Sequence, residues 1–270
     1  MNVINAIILG IVQGLTEFLP VSSSGHLVLL QKIFGITAAG LFFDTMLHVG
    51  TLMAVFAVLW KDVWGLLKKI IQPLTLFLII ATVPAVVAAL IFTDIIEHAF
   101  ESGQFLGVSF VITSALLVFA ELFVKRANTG GSFKKAESMN WLDALIIGIM
   151  QAIAITPGIS RSGATISGAL SRGLDRDFAA RFSFLLSIPA ILGAVVLQSK
   201  ELIQNTQATG ESITAAAVIA GTASAAVVGF FSVKLMLKII REKSLYGFAV
   251  YTACLGILVI FDQFITRIVF

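Results

Sequence analysis

Charge is what this sequence lacks most. Asp, Glu, Lys and Arg make up 12% of its 270 residues, against 58% hydrophobic, where a soluble domain carries about 25% charge. Mean hydropathy is +1.02. So little polar surface cannot cover a water-soluble globule, so lipid must cover it, and a helical multi-pass membrane protein follows. Cysteine is nearly missing. Cys254 stands alone in an apolar run, which excludes a disulfide framework or a thiolate metal cluster. The chain also lacks a basic region ahead of its first apolar run, so no cleavable signal peptide is expected. Its net charge of +3 and pI near 9.1 do not indicate nucleic acid. The basic residues fall in short loops between apolar runs, the pattern of cytoplasmic loops.

What the sequence has in plenty is membrane-length apolar runs. A crossing needs about 20 such residues. Leu74–Thr93, Gln104–Ala120, Phe182–Ser199, Ile213–Val233 and Leu245–Phe261 each approach that length, and Phe42–Trp60 does so while carrying Asp44 and His48. Two further runs are interrupted: Val3–Leu30 around Pro20, and Trp141–Leu170 around Pro157.

The chain also repeats itself. At a shift of 138, AIILGIVQG (Ala6–Gly14) lies on ALIIGIMQA (Ala144–Ala152), Ser22 on Ser160, Ser24 on Ser162 and Gly25 on Gly163. At a shift of 140, Ala81–Val87 lies on Gly221–Val227, and Gly107 on Gly247. If each interrupted run enters and leaves on one side, fourteen of the 18 Lys and Arg residues share a side, which is then the cytoplasm. Lys32, Lys200 and Arg267 lie opposite, and Arg161 lies at membrane depth. A single crossing by Trp141–Leu170 would throw most of the later basic residues outward. The expected fold is therefore all-α, with six crossings plus two re-entrant broken-helix hairpins. Its halves, residues 1–138 and 139–270, are related as an inverted repeat, because three crossings per half is an odd number.

The polar residues gather at the two breaks. Gln13 and Glu17 share a helix face. Pro20 ends that helix, and Ser22, Ser23 and Ser24 are good N-caps for a second one that carries Gly25 and His26 in its first turn. A helix start offers unpaired N–H groups and a positive dipole end, a seat for an anion. A carboxylate beside such a seat suits either a bridging divalent cation or proton transfer. In TPGISRSGAT (Thr156–Thr165), Pro157 and Gly158 break the helix, and Ser160, Arg161, Ser162, Gly163 and Thr165 follow. Arg161 carries a fork of donors suited to phosphate oxygens, or to Glu17. Asp44 and His48, four apart, fit either an accessory site or a pair in the headgroup region. Ser167 and Ser187 are expected to bond helix to helix or back-bond. Glu121 and Asp262 are expected at the interface, and Gln151 in packing or hydrogen bonding.

QGLTEFLPVSSSGH (Gln13–His26) and PGISRSGAT (Pro157–Thr165) resemble the two signature motifs of the bacterial undecaprenyl-diphosphate phosphatase family, the bacitracin-resistance type. Length and hydropathy extend the resemblance over the whole chain. It implies hydrolysis of undecaprenyl diphosphate to undecaprenyl phosphate and phosphate, recycling the lipid carrier of cell-wall precursors. The setting implied is the cytoplasmic membrane, with the site on its outer side. A divalent cation, Mg or Ca, would be the cofactor. On that resemblance Glu17 and Gln13 serve metal binding or proton transfer. His26 or Ser23 is nucleophile or general base, and Arg161 clamps the diphosphate. Ser22, Ser24, Gly25, Ser160, Ser162, Gly163 and Thr165 contact the substrate. Gln13 replaces a Glu common in the family, which leaves Glu17 the only carboxylate of that pair. The resemblance gives His48 no catalytic role. The partners expected are the polyprenyl diphosphate and the bilayer, with no nucleic acid and with a homodimer left open. SSGH also resembles the Ser-Gly-His element of type-2 phosphatidate phosphatases, but that family's later His and Asp are here Ser167 and Ser171. The rival reading is a transporter or flippase for an anionic lipid or small anion, since inverted repeats around a midplane site suit alternating access equally. A receptor that only binds lipid is the third.

Overall fold

In the computed structural model, residues 1–36, 41–128, 133–204 and 213–270 are described, with the side chains of Leu41, Glu97, Glu101 and residues 197–204 (Lys200 among them) lying outside the description. The described residues are helical with no strand. The helices are α1 (Val3–Thr16), α2 (Ser23–Ile33), α3 (Leu41–Val58), α4 (Trp60–Lys68), α5 (Pro73–Ile91), α6 (Thr93–Ser102), α7 (Leu106–Asn128), α8 (Trp141–Ile153), α9 (Arg161–Ser171), α10 (Arg176–Gln204), α11 (Ala215–Glu242) and α12 (Tyr246–Phe261). Five of them, α5, α7, α10, α11 and α12, are long and apolar enough to cross a membrane. α3 and α4 pass the same length and hydropathy test only when taken together, and they are bent by 83° where they meet. The bend falls where Trp60 and Trp64 stack beside Lys61 and Lys68. That composition belongs at the membrane–water interface, where α4 leaves the apolar core.

The two interrupted runs are broken where the prolines stand. The chain leaves α1 at Thr16, turns through Pro20 and restarts as α2; α8 ends at Ile153 and restarts as α9. The outer surface is as apolar as the core, and the polar residues gather inside. Val83, Leu90, Val250 and Leu258 are more than half exposed, while Gln13, Ser160, Thr165 and Ser183 are buried. Water-soluble proteins put polar residues on that surface instead, and lipid explains the difference.

Small residues let the broken segments approach the crossings. Gly10 of α1 lies against the Gly221 carbonyl of α11, and a Cβ on Gly148 of α8 would stand 2.7 Å from the Ala81 carbonyl of α5. Gly10 and Gly148 align at the shift of 138, and Ala81 and Gly221 at 140. The same contact is therefore made twice, each time between a broken segment and a crossing far away in sequence. Such close backbone approach is how membrane helices gain packing energy without a hydrophobic driving force. Gly107 and Gly247 do not share this equivalence. Gly107 packs on Gly256 and Ile260, whereas Gly247 faces open space.

Glu121 is enclosed by protein. It is 2% exposed and accepts bonds from Arg176 (2.6 Å) and the Leu245 N–H (2.8 Å), tying α7 to the starts of α10 and α12. A carboxylate near a helix end was drawn inward because two donors from other elements meet it there. Asp262 accepts from Thr266 and from the N–H groups of Ile268, Val269 and Phe270, folding the C-terminal residues back on themselves. Ser187 back-bonds to Phe184 at 2.6 Å, and Gln151 donates to Ala81 at 3.4 Å. The buried hydroxyl of Ser167 has no partner among the described residues, and nothing in the structure explains it.

Gly148→Leu is expected to cost about 1–3 kcal/mol by overpacking against Ala81, read as a lower melting temperature in detergent. Gly247→Leu, in open space, should leave that temperature unchanged or raise it.

Candidate active site

Each break ends in a capped helix start. Ser22 Oγ accepts from the Gly25 N–H at 3.2 Å, and Ser160 Oγ accepts from the Gly163 N–H at 3.0 Å. The neighbouring hydroxyls follow suit: Ser22 and Ser24 lie 3.4 Å apart, Ser160 and Ser162 3.3 Å. These are the cap bonds that serines supply at N-termini, and they leave the first N–H groups of α2 and α9 without helical partners. Ser22 pays for its position with a φ of 72°, a region a serine rarely enters.

The two starts touch. Ser162 Oγ donates to the Leu19 carbonyl at 3.2 Å. A Cβ on Gly25 would lie 2.9 Å from Gly158 Cα, and one on Gly163 3.4 Å from Pro20. Thr113 of α7 fixes the second break from behind, accepting the Ser160 N–H (2.9 Å) and donating to the Gly158 carbonyl (3.1 Å). Gly158 has a φ of 89°, which only glycine adopts freely.

Glu17 is the hub. It is 6% exposed. One carboxylate oxygen is held by Arg161 Nη2. The other accepts from Gln13 Nε2 at 2.9 Å and Ser23 Oγ at 2.5 Å, and faces His48 Nε2 at 3.5 Å. Arg161 Nη1 donates to the Ser183 carbonyl at 3.3 Å, and the Ser183 hydroxyl lies 2.6 Å from that of Thr165. The structure thus brings Gln13, Glu17, Ser23 and Arg161 into one cluster, with Thr165 one residue further on. His26 bonds to neither Glu17 nor Arg161. It turns toward α7 and α12, with ring nitrogens 2.7 Å from the Ser22 carbonyl and 2.7 Å from the Tyr251 hydroxyl. It still stands beside Ser23, three residues apart on one helix face.

Sequence reading missed Ser183, Thr113 and Tyr251, and offered His48 only as part of an accessory site with Asp44. His48 was marked only by its spacing from Asp44, whose carbonyl its Nδ1 meets at 2.8 Å while Gln31 donates to the Asp44 carboxylate. Ser183, Thr113 and Tyr251 sit in apolar runs with no local signal.

A divalent cation fits these residues poorly. Among the described residues no three His, Cys, Asp or Glu side chains converge. Both Glu17 oxygens already accept from N–H and O–H donors, so a metal there would have to displace Arg161 or Ser23 from them. The one partnerless oxygen beside them is the neutral Gln13 Oε1, so the protein offers no ready-made set of oxygens, and a Mg²⁺ or Ca²⁺ ion here would draw most of its ligands from water and phosphate.

The whole-chain comparison decides the kinship. A family model described as "Bacitracin resistance protein BacA" matches residues 6–258. The chain belongs to the BacA family. A BacA relative from Carboxydothermus hydrogenoformans, named "Undecaprenyl-diphosphatase", is 48% identical over 264 residues, covering 97% of this chain and 98% of its own. "Undecaprenyl-diphosphatase 3" of Bacillus cereus is 47% identical over 264 residues, covering 98% of each chain. An "Undecaprenyl-diphosphatase" from Methanosphaera stadtmanae is 40% identical over 282 residues, covering 96% of this chain and 98% of its own.

Thr113→Val should unpair the Gly158 carbonyl and the Ser160 N–H together. The expected loss is about 2 kcal/mol or more, measured by thermal unfolding in detergent.

Proposed function

We propose that this BacA protein hydrolyses undecaprenyl diphosphate to undecaprenyl phosphate and inorganic phosphate, so returning the lipid carrier to cell-wall synthesis and conferring bacitracin resistance. The observation that carries the reading is Glu17, bonded at once to Ser23 and Arg161 across two helix starts, in a membrane chain whose relatives bear that name. The diphosphate lies across the N-termini of α2 and α9, where orphan N–H groups and dipole ends favour negative charge. Arg161 exchanges Glu17 for phosphate oxygens, which its fork matches. Ser22, Ser24, Gly25, Ser160, Ser162, Gly163 and Thr165 line or cap those helix starts.

Released from Arg161, Glu17 becomes a stronger base for the Ser23 hydroxyl it already accepts. Ser23 Oγ attacks the terminal phosphorus, its proton passes to Glu17, and the bond from that phosphorus to the bridging oxygen breaks, freeing undecaprenyl phosphate. This is the activated-nucleophile arrangement, with Gln13 orienting the base. Water then attacks the phosphoserine and gives its proton to His26, while the phosphorus–Ser23 Oγ bond breaks and Glu17 returns its proton to that oxygen, releasing inorganic phosphate. The divalent cation finds no site built by the protein and takes no step here; where it is needed, it accompanies the diphosphate rather than residing in the fold.

The matching caps and matching glycine contacts support an inverted repeat of residues 1–138 and 139–270. They equally suit alternating access, so transport remains the rival reading. The reading further places the protein in the cytoplasmic membrane, with the site on its outer side.

The test is phosphate release from undecaprenyl diphosphate by purified protein. Release is expected, and its absence with a folded protein would favour the transporter. Glu17→Ala and Arg161→Ala should each lower turnover by about a thousandfold, and Arg161→Lys by about a hundredfold, because lysine lacks the fork. Near-normal turnover in Arg161→Lys would remove the clamp. A chelator should leave the melting temperature unchanged, since no resident metal contributes to folding; a drop of several degrees would reveal one.

A further inference from the structure

Tyr251 has no part in the chemistry above, yet its hydroxyl lies 2.7 Å from His26 Nε2. The other ring nitrogen lies 2.7 Å from the Ser22 carbonyl. A carbonyl oxygen only accepts, so Nδ1 carries a proton, and the neutral ring presents a lone pair at Nε2. The Tyr251 O–H donates to it. The planes of the two rings lie within 9° of each other, and Phe110 meets the imidazole edge-on at 81°. His26 is therefore held on three sides: Ser22 behind, Phe110 against the ring and Tyr251 at the tip.

The two aromatic walls come from α7 and α12, which cross where Gly107 and Gly256 pack backbone to backbone. That crossing sets Phe110 and Tyr251 on either side of the histidine. They differ in freedom: Phe110 is fully buried, whereas Tyr251 is 48% exposed. A ring enclosed on every side cannot swing, but a half-exposed one can.

We propose that Tyr251 is a positioning residue for His26, fixing its Nδ1–H tautomer and covering the Nε2 lone pair until substrate displaces the phenol. A single lone pair accepts one good hydrogen bond, so the cover and the activation of water exclude each other. The cover keeps Nε2 oriented and unprotonated in the resting protein. This rests on the reading of His26 as a base.

Diethyl pyrocarbonate acylates an unprotonated imidazole nitrogen, and peptide mass spectrometry reports each histidine separately. His98 on α6 is exposed and serves as internal reference. Tyr251→Phe keeps the ring and loses the hydroxyl. It is expected to raise the acylation rate of His26 relative to His98 by about two- to tenfold, the range spanned by one neutral hydrogen bond. Tyr251→Ala should raise it at least as far. An unchanged ratio in both variants would overturn the cover while leaving the phosphatase reading intact. Full turnover in His26→Asn would also overturn the proposal, since a cover over a base that does no work positions nothing.

Discussion

The fold depends on one ion pair, Glu17 with Arg161. A lone arginine at membrane depth costs about 2.5–3.5 kcal/mol even on lenient insertion scales, and a lone buried carboxylate is no easier to keep. Each charge offsets the other, and each is tied further: Glu17 to Gln13 and Ser23, Arg161 to the Ser183 carbonyl. Breaking a buried pair by removing one partner costs about 3–5 kcal/mol. The pair also bridges the two interrupted segments, so the contact that makes the interior tolerable also brings the two helix starts together. On the reading proposed above, an incoming diphosphate competes with Glu17 for the guanidinium. In that mechanism substrate binding and base activation are one event.

Broken helices at this depth need every freed backbone group matched. Ser22 and Ser160 cap the new starts, Thr113 holds both sides of the second break, and Ser162 reaches the Leu19 carbonyl. The positive φ of Ser22 stores about 1–3 kcal/mol of strain, which persists only where surroundings over-determine it. Here Ser22 is fixed three ways: its hydroxyl by Gly25, its carbonyl by His26, and its chain by Pro20 two residues earlier. The strained residue directly precedes Ser23, the nucleophile in the mechanism proposed above.

Much of this was legible in the sequence because it is local. Proline 20 and Pro157 mark the breaks, the serines after them mark the caps, and the 138-residue register pairs Ser22 with Ser160 before any coordinates are seen. Arg161 and Glu17 were legible as partners because two opposite charges in so apolar a chain have few other places to go. What escaped is what depends on packing. Ser183 and Thr113 are polar residues in crossings, and only helix rotation decides that they face Arg161 and Gly158 rather than lipid. His48 reads as Asp44's neighbour along α3, whereas its Nε2 faces Glu17 across the bundle. Glu121 lies at a helix end, where sequence suggests the interface; only the meeting of α7 with α10 and α12 buries it.

The repeat register carries one more consequence. A shift of 138 places Ser23 on Arg161, each the first residue of its helix after a serine cap. Both bond to the same carboxylate, Glu17, from opposite breaks. Glu17 itself falls on Ile155, and His26 on Ala164. A matched scaffold thus presents two equivalent positions to one acid, one filled by a hydroxyl and the other by a cation. Two identical starts could only bind an anion twice over. Because the first break carries the acid, the hydroxyl and the imidazole, and the second carries the permanent charge, the pair can divide attack from clamping at one phosphate. The two starts share their serine caps but not their side chains or their cap backbone, Ser22 at a φ of 72° and Ser160 at −70°, and that asymmetry is what the proposed division between attack and clamping needs.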